Sequence, residues 1–296
     1  VDVDESIFEI VTTSAGAVSI RNKVVNEIMH NPVGPWQEAN DLYIKQARLK
    51  ERLNHATPSP LVLFDVGLGA GSNAVAACHA RRYLGTQSRA LQIVSFENDL
   101  NLLRFTLKHA HRFSHLDGYL DALRGLITHH HWQSADGSID WQLRAGDFLQ
   151  TIEKEPFHAD VIFFDPYSPA VNQDMWTLDA FAKLIQKCTS EAIGFTYSVA
   201  TPVRAAMLLA RFYAGHGSPT GLKTETTQFA VHPQALDRPF GIEWFGRWIR
   251  SHHQLPYGTG TDDHESLKMK LLNHPQLAPW VDQSATLLKK AFPGRA

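Results

Sequence analysis

The 296 residues, 44% hydrophobic and 20% charged, can bury a large core and are ordinary for a globular protein. A formal net charge of −2 excludes a strongly basic nucleic-acid binder by bulk charge, although a local basic patch stays open. The two cysteines, Cys78 and Cys188, are far apart and are expected in helices, which excludes a disulfide framework and a C-x-x-C pair. No apolar run reaches the roughly 18 residues of a membrane span. The acidic opening V-D-V-D-E-S is unlike a signal peptide, so a cytoplasmic protein is expected. A first residue of Val is expected either of a trimmed chain or of numbering that begins after an initiator.

In chain order, residues 7–11 and 17–20 read as a hairpin turning at Ser14-Ala15-Gly16. Gly34-Pro35-Trp36 opens a helical stretch to about Leu53, carrying Lys45, Arg48, Lys50 and Arg52. Thr57-Pro58-Ser59-Pro60 reads as a linker. Strands and helices then alternate. Strands are expected at 61–66, 91–97, 139–144, 160–165, 192–197 and 224–231. Helices are expected at 71–84, 100–110, 147–152, 174–188 and 202–214. Residues 112–138 read as irregular, with His129 to His131 on a surface loop. This rhythm implies βαβ units and a mostly parallel sheet. After Pro233 it breaks, and the tryptophan- and proline-rich remainder reads as a C-terminal cap. The expected division is 1–56, 57–233 and 234–296.

Two strands end in loops that share a rim, since ligands of open α/β sheets sit beyond the carboxyl ends of the strands. The first is L-V-L-F-D-V-G-L-G-A-G-S-N, Leu61 to Asn73. Gly67, Gly69 and Gly71 let the backbone approach a ligand and turn N–H groups towards it. The third glycine comes one residue early for the dinucleotide fingerprint, and no G-K-[ST] phosphate loop is present. A tight turn without a ligand is the plain alternative. The next strand ends in Phe96-Glu97-Asn98-Asp99, where an acid can accept both ribose hydroxyls of a nucleoside. Ala145-Gly146-Asp147-Phe148 follows the third strand, and Asp147 can meet an adenine amino group, cap a helix, or both.

The second loop is V-I-F-F-D-P-Y-S-P-A-V-N-Q-D-M-W, Val161 to Trp176, stiffened by Pro166 and Pro169. Its acid, aromatic, proline, asparagine and tryptophan are Asp165, Tyr167, Pro169, Asn172 and Trp176. With Gln37-Glu38-Ala39, Thr196-Tyr197-Ser198, Val203-Arg204 and Thr220-Gly221-x-Lys223-x-Glu225, this resembles the MnmC-like methyltransferases: the tRNA 5-aminomethyl-2-thiouridine methyltransferase domain and its stand-alone relatives. The resemblance spans roughly residues 7–250. Two departures are the missing FAD-dependent oxidase half and Thr224, where the family commonly has Arg.

The resemblance implies a class I methyltransferase fold: a Rossmann-like, doubly wound α/β sheet with an N-terminal hairpin and helix and a C-terminal cap. It implies S-adenosyl-L-methionine as cofactor, held by Glu38, Asp65, Gly67, Gly69, Gly71, Asn73, Glu97, Asn98, Gly146 and Asp147, with no metal. The implied acceptor is an aminomethyl group on the wobble uridine of tRNA. Asp165 is the expected catalytic acceptor of the amine's proton, with Tyr167, Ser168, Pro169, Asn172 and Trp176 around the base. An RNA face is expected from the 45–52 helix with Arg204 and Lys223, and a separate FAD-dependent oxidase is a possible partner. A small-molecule or protein amine acceptor, aminopropyl transfer, and a non-catalytic nucleoside-binding protein stay open as alternatives.

Overall fold

The computed structural model describes residues 5–281 except 30, 31, 56 and 222. Eight strands form the main sheet in the order β10-β11-β9-β8-β4-β5-β7-β6. They are β4 (Leu61–Val66), β5 (Leu91–Glu97), β6 (His131–Gln133), β7 (Ile139–Ala145), β8 (Ala159–Phe164), β9 (Cys188–Thr196), β10 (Tyr213–Gly217) and β11 (Thr226–Ala230). The middle five are parallel, while β6, β10 and β11 run antiparallel to their neighbours. A second sheet of β1 (Phe8–Thr12), β2 (Val18–Asn22) and β3 (Glu27–Ile28) precedes it.

Strand period two explains the layering. Leu61 and Leu63 of β4 face one core, shared with α3 (Ser72–Arg82), α4 (Asn101–Lys108) and α5 (Leu120–His129). Val62, Phe64 and Val66 face another, shared with α6 (Phe148–Thr151), α7 (Leu178–Ile185) and α8 (Thr201–Leu209). The sheet is therefore covered on both faces, the doubly wound arrangement expected from its apolar strands. Strand order diverges between β4 and β8, which puts a crevice at their carboxyl ends.

The N-terminal segment belongs to the first core: Phe8 meets Phe105 at 5.5 Å between ring centroids, and Tyr43 meets Phe163 at 4.9 Å. The C-terminal segment packs Trp244, Phe245 and Trp248 of α9 (Ile242–Arg250) and Leu271 of α10 (His264–Leu272) on Ala205 and Leu208, the outer side of α8. The short α11 (Ala278–Val281) follows.

Several expectations are corrected. The single helix over 34–53 is instead α1 (Pro35–Glu38), a π-helical turn at Ala39–Ile44 and α2 (Leu49–Asn54), because Arg48 breaks the run in the left-handed region. Residues 112–138 are not irregular, since Leu120, Leu123, Leu126 and Ile127 give one apolar stripe and form α5. The three histidines end that helix and open β6, where His131 bonds Asp140 at 3.0 Å. The helix expected to Ala214 ends at Leu209, and β10 follows. Glycines masked that strand, yet a Cβ on Gly215 would stand 2.5 Å from the Arg238 carbonyl oxygen, so the close approach of that loop requires them. Cys188 opens β9 and is not helical.

Candidate active site

A cleft of about 630 Å³ opens at the carboxyl ends of β4, β5, β7 and β8, within the range of ligand sites. Its two sequence motifs touch. A Cβ on Gly67 would lie 2.6 Å from the Asp165 carbonyl oxygen and 2.9 Å from the Pro166 nitrogen, and Gly67 has φ of 90°. Only glycine allows the loop after β4 to lie on the loop after β8. Gly69 donates its N–H to one Glu97 oxygen at 2.9 Å, and Asp99 donates to the other at 3.0 Å. The loop after β5 is thereby clamped to the glycine loop. Burial holds the Glu97 carboxyl above its ordinary range, against these N–H donors.

Asp165 is half-buried at the centre. Asn73, in the first turn of α3, donates to its Oδ2 at 2.7 Å. Burial, with the negative charge of Glu38, pushes the Asp165 carboxyl up to about 8, while Asn73, Tyr43 and Lys223 pull the other way. Tyr43 is fully buried, with its hydroxyl towards the Asp165 carboxyl. Lys223 stands 4.3 Å from the centre of the Tyr197 ring and is the cleft's single lysine or arginine among the described residues. Against it stand Glu27, Glu38, Glu97, Asp99, Asp147, Asp165 and Asp174. A cleft with this balance focuses a negative field and favours cationic ligands.

The carboxylate loop is held from three sides. Tyr197 donates its hydroxyl to the Pro166 carbonyl at 2.9 Å, and Trp176 donates its indole N–H to the Tyr167 carbonyl at 2.8 Å. From the N-terminal sheet, Asn22 donates to the Tyr167 hydroxyl at 3.0 Å, and Ser168 donates its hydroxyl to Glu27 at 2.9 Å. Sequence reasoning missed this wall, to which Ile7, Phe8, Asn22 and Glu27 contribute. A two-residue β3 carries too little pattern to be read.

Among the expected residues, Glu38, Gly67, Gly69, Glu97, Asn98, Gly146, Asp147, Asp165, Tyr167 and Asn172 line the cleft. Asp147 does so while capping α6, accepting from the Leu149 N–H at 2.7 Å. Asp65, Gly71, Asn73, Ser168, Pro169 and Trp176 do not line it. Asp65 is fully buried beneath the loop, accepting from the Ser95 hydroxyl at 2.7 Å, and burial raises its carboxyl to about 7. Trp176 is fully buried and acts through the Tyr167 carbonyl. Arg204 is only 3% exposed, paired with Glu225 at 3.1 Å, so it cannot present its charge to RNA. Lys45 and Arg48 pair with Asp41 and Asp237. Among the described residues no cluster suits a metal ion, and no helix is long and apolar enough to cross a membrane.

Comparison with known proteins fits this geometry. A family described as S-adenosyl-L-methionine-dependent methyltransferase matches residues 114–232. The bifunctional MnmC protein of tRNA 5-methylaminomethyl-2-thiouridine biosynthesis from Burkholderia vietnamiensis is 28% identical over 197 residues, covering 63% of this chain and 29% of that protein. Its counterpart from Cupriavidus metallidurans is 26% identical over 238 residues, covering 77% and 34%. The chain thus spans about a third of the length of these curated relatives. The crystal structure of MnmC2 from Aquifex aeolicus shares the fold with a TM-score of 0.68 at 20% identity, covering 92% of this chain and 85% of that one. A spermidine synthase shares it more distantly, with a TM-score of 0.51 at 10% identity, covering 88% of this chain and 85% of that one. The family match, the relatives and the fold together liken this chain to the MnmC-like S-adenosyl-L-methionine-dependent methyltransferases.

Proposed function

We propose that this enzyme methylates a primary amine, the aminomethyl group of a modified wobble uridine in tRNA. The observation that carries the reading is the contact between Gly67 and the Asp165 backbone, which merges the cofactor rim and an acid into one cleft. The residues present suit S-adenosyl-L-methionine. Gly67 and Gly69 leave backbone where side chains would intrude, and Glu97, Asn98, Gly146 and Asp147 offer polar groups along one edge. The acidic lining suits a sulfonium and an ammonium together. When bound, the cofactor supplies a methyl group already activated for transfer.

The protein's own tasks are orientation and proton removal. An alkyl amine is mostly protonated at neutral pH, and its lone pair is then unavailable. Asn73 occupies one oxygen of Asp165, which leaves the other for the amine. Only the ionised form of Asp165 takes the amine's proton, so the rate should rise as Asp165 loses its own. A carboxyl near 8 is better matched to an amine proton than an ordinary aspartate, because transfer is most efficient when acid and base strengths are close. Tyr167 and Asn172 shape the wall on which the base rests. Chemistry on a base requires it to be exposed, so a flipped nucleotide is expected.

The relatives are named for tRNA 5-methylaminomethyl-2-thiouridine biosynthesis, which directs the choice of acceptor. An upstream FAD-dependent oxidase, fused or separate, would expose the primary amine. Cytoplasmic location follows from such a substrate. The test incubates the protein with S-adenosyl-L-methionine and tRNA bearing aminomethyl uridine, then weighs the wobble nucleoside. A gain of one methylene supports the reading. Methylation of small amines with untouched tRNA overturns the acceptor, and use of decarboxylated cofactor in its place overturns the reaction.

A further inference from the structure

Six carboxylates besides the mostly protonated Asp165 line the catalytic cleft against one lysine, a balance that disfavours phosphate there. Charge available for phosphate must lie elsewhere, and much of the expected basic set is occupied by Asp41, Asp237 and Glu225. A second crevice of about 390 Å³ lies on the other side of the same wall. Trp36 and Glu38 stand two residues apart on α1, so their side chains leave it in different directions: Glu38 lines the cleft, Trp36 the crevice. Ser72 and Asn73 divide likewise. Asn73 bonds Asp165, while Ser72 bonds His115 of the crevice at 3.0 Å.

The crevice is aromatic. The Trp36 ring lies 5.2 Å from His79 and 5.8 Å from His115, and His79 lies 4.6 Å from Tyr83. Tyr83 is 69% exposed, unusual for a large aromatic residue that no core needs. Burial lowers His115 to about 4, so at neutral pH the charges lining the crevice are Arg82 and Asp117. Arg82 is exposed, pairs with no carboxylate among the described residues, and stands 6.0 Å from the Tyr119 ring centre. The buried Tyr119 hydroxyl faces Arg82 across the crevice. An exposed tyrosine ring beside half-buried Trp36, with an exposed guanidinium that pairs with no carboxylate among the described residues, suits a stacked base with its phosphate.

We infer that this crevice holds a second nucleotide of the RNA whose target base enters the catalytic cleft, stacked against Trp36 and Tyr83 with its phosphate at Arg82. The inference rests on the tRNA reading above. The test uses Tyr83→Ala and Arg82→Gln, both at exposed side chains, and compares binding of bulk tRNA at several salt concentrations with binding of S-adenosyl-L-methionine. Tyr83→Ala should weaken tRNA about tenfold, the loss of one stacked base. Arg82→Gln should also flatten the salt dependence by about one counterion. Cofactor affinity should not change in either. Wild-type protein that binds tRNA, with both variants equal to it, overturns the crevice and spares the tRNA reading. Wild-type protein that binds no tRNA at low salt overturns both.

Discussion

Replacing Asp165 by Asn keeps the side chain's shape and an oxygen for Asn73, but removes the proton that this site takes up and releases. The folded carboxyl holds its proton up to pH about 8. An unfolded aspartate lets it go near 3.9. A value raised on folding stabilises the native state fully below the unfolded value. That contribution falls as pH rises and is gone above the folded value. Between pH 5 and 7 the folded site stays protonated while the unfolded chain does not. The slope is about 1.4 kcal/mol per pH unit, so wild-type protein should lose about 2.7 kcal/mol over that window from this group. The figure is an upper one, because the residue is half-buried and solvent screens it. Asp65 and Glu97 are raised too, but they are present in both proteins, so the difference between the curves isolates Asp165. Urea unfolding of ligand-free protein at pH 5, 6 and 7 measures it. The variant should gain on wild type with rising pH, while its turnover at pH 7 falls by about 10²- to 10⁴-fold. The loss should shrink at high pH, where the amine is free. Parallel stability curves, or full turnover at neutral pH, would refute the reasoning.

Glu97→Ala removes the proposed acceptor for ribose hydroxyls and the clamp on Gly69 and Asp99, and calorimetry should show S-adenosyl-L-methionine bound at least tenfold more weakly, about 1.4 kcal/mol. Gly67→Ala should cost about 1–3 kcal/mol from its backbone conformation alone, more with the clash on Asp165, and thermal unfolding will show it alongside lost cofactor binding. Trp176→Phe keeps the ring but drops the bond to the Tyr167 carbonyl; stability should fall by about 1 kcal/mol and turnover more than cofactor affinity, in paired assays. Arg204→Ala should lower the melting temperature by breaking a buried pair, and leave the salt dependence of tRNA binding unchanged.

The sheet was legible because its central strands are apolar on both faces and run into a glycine or a carboxylate, as at Gly67, Glu97 and Asp165. Both loops of the cleft were legible for the same reason. What escaped was non-local. Nothing in the sequence near Asn73 says that its amide reaches Asp165, 92 residues away, or that Glu27 reaches Ser168, 141 residues away. The role of Trp176 depends on burial, which a motif does not specify. Basic residues were counted without their partners, so Arg204 looked available although Glu225 neutralises it. The helix at Leu120–His129 was hidden by the histidines and glycine around its apolar stripe.

The central claim is that one cleft brings an activated methyl group to an amine that Asp165 deprotonates. Its most direct measurement is single-turnover methyl transfer to tRNA bearing aminomethyl uridine, followed across pH 6 to about 9.5 for wild type and Asp165→Asn with S-adenosyl-L-methionine saturating. The account predicts a wild-type rate that rises through a group near pH 8, with one methylene added at the wobble uridine. In Asp165→Asn the rate should be far lower at neutral pH and approach wild type as the amine loses its proton unaided. Equal rates for the two proteins at pH 7, or no methylene on the tRNA from the wild type, would contradict it.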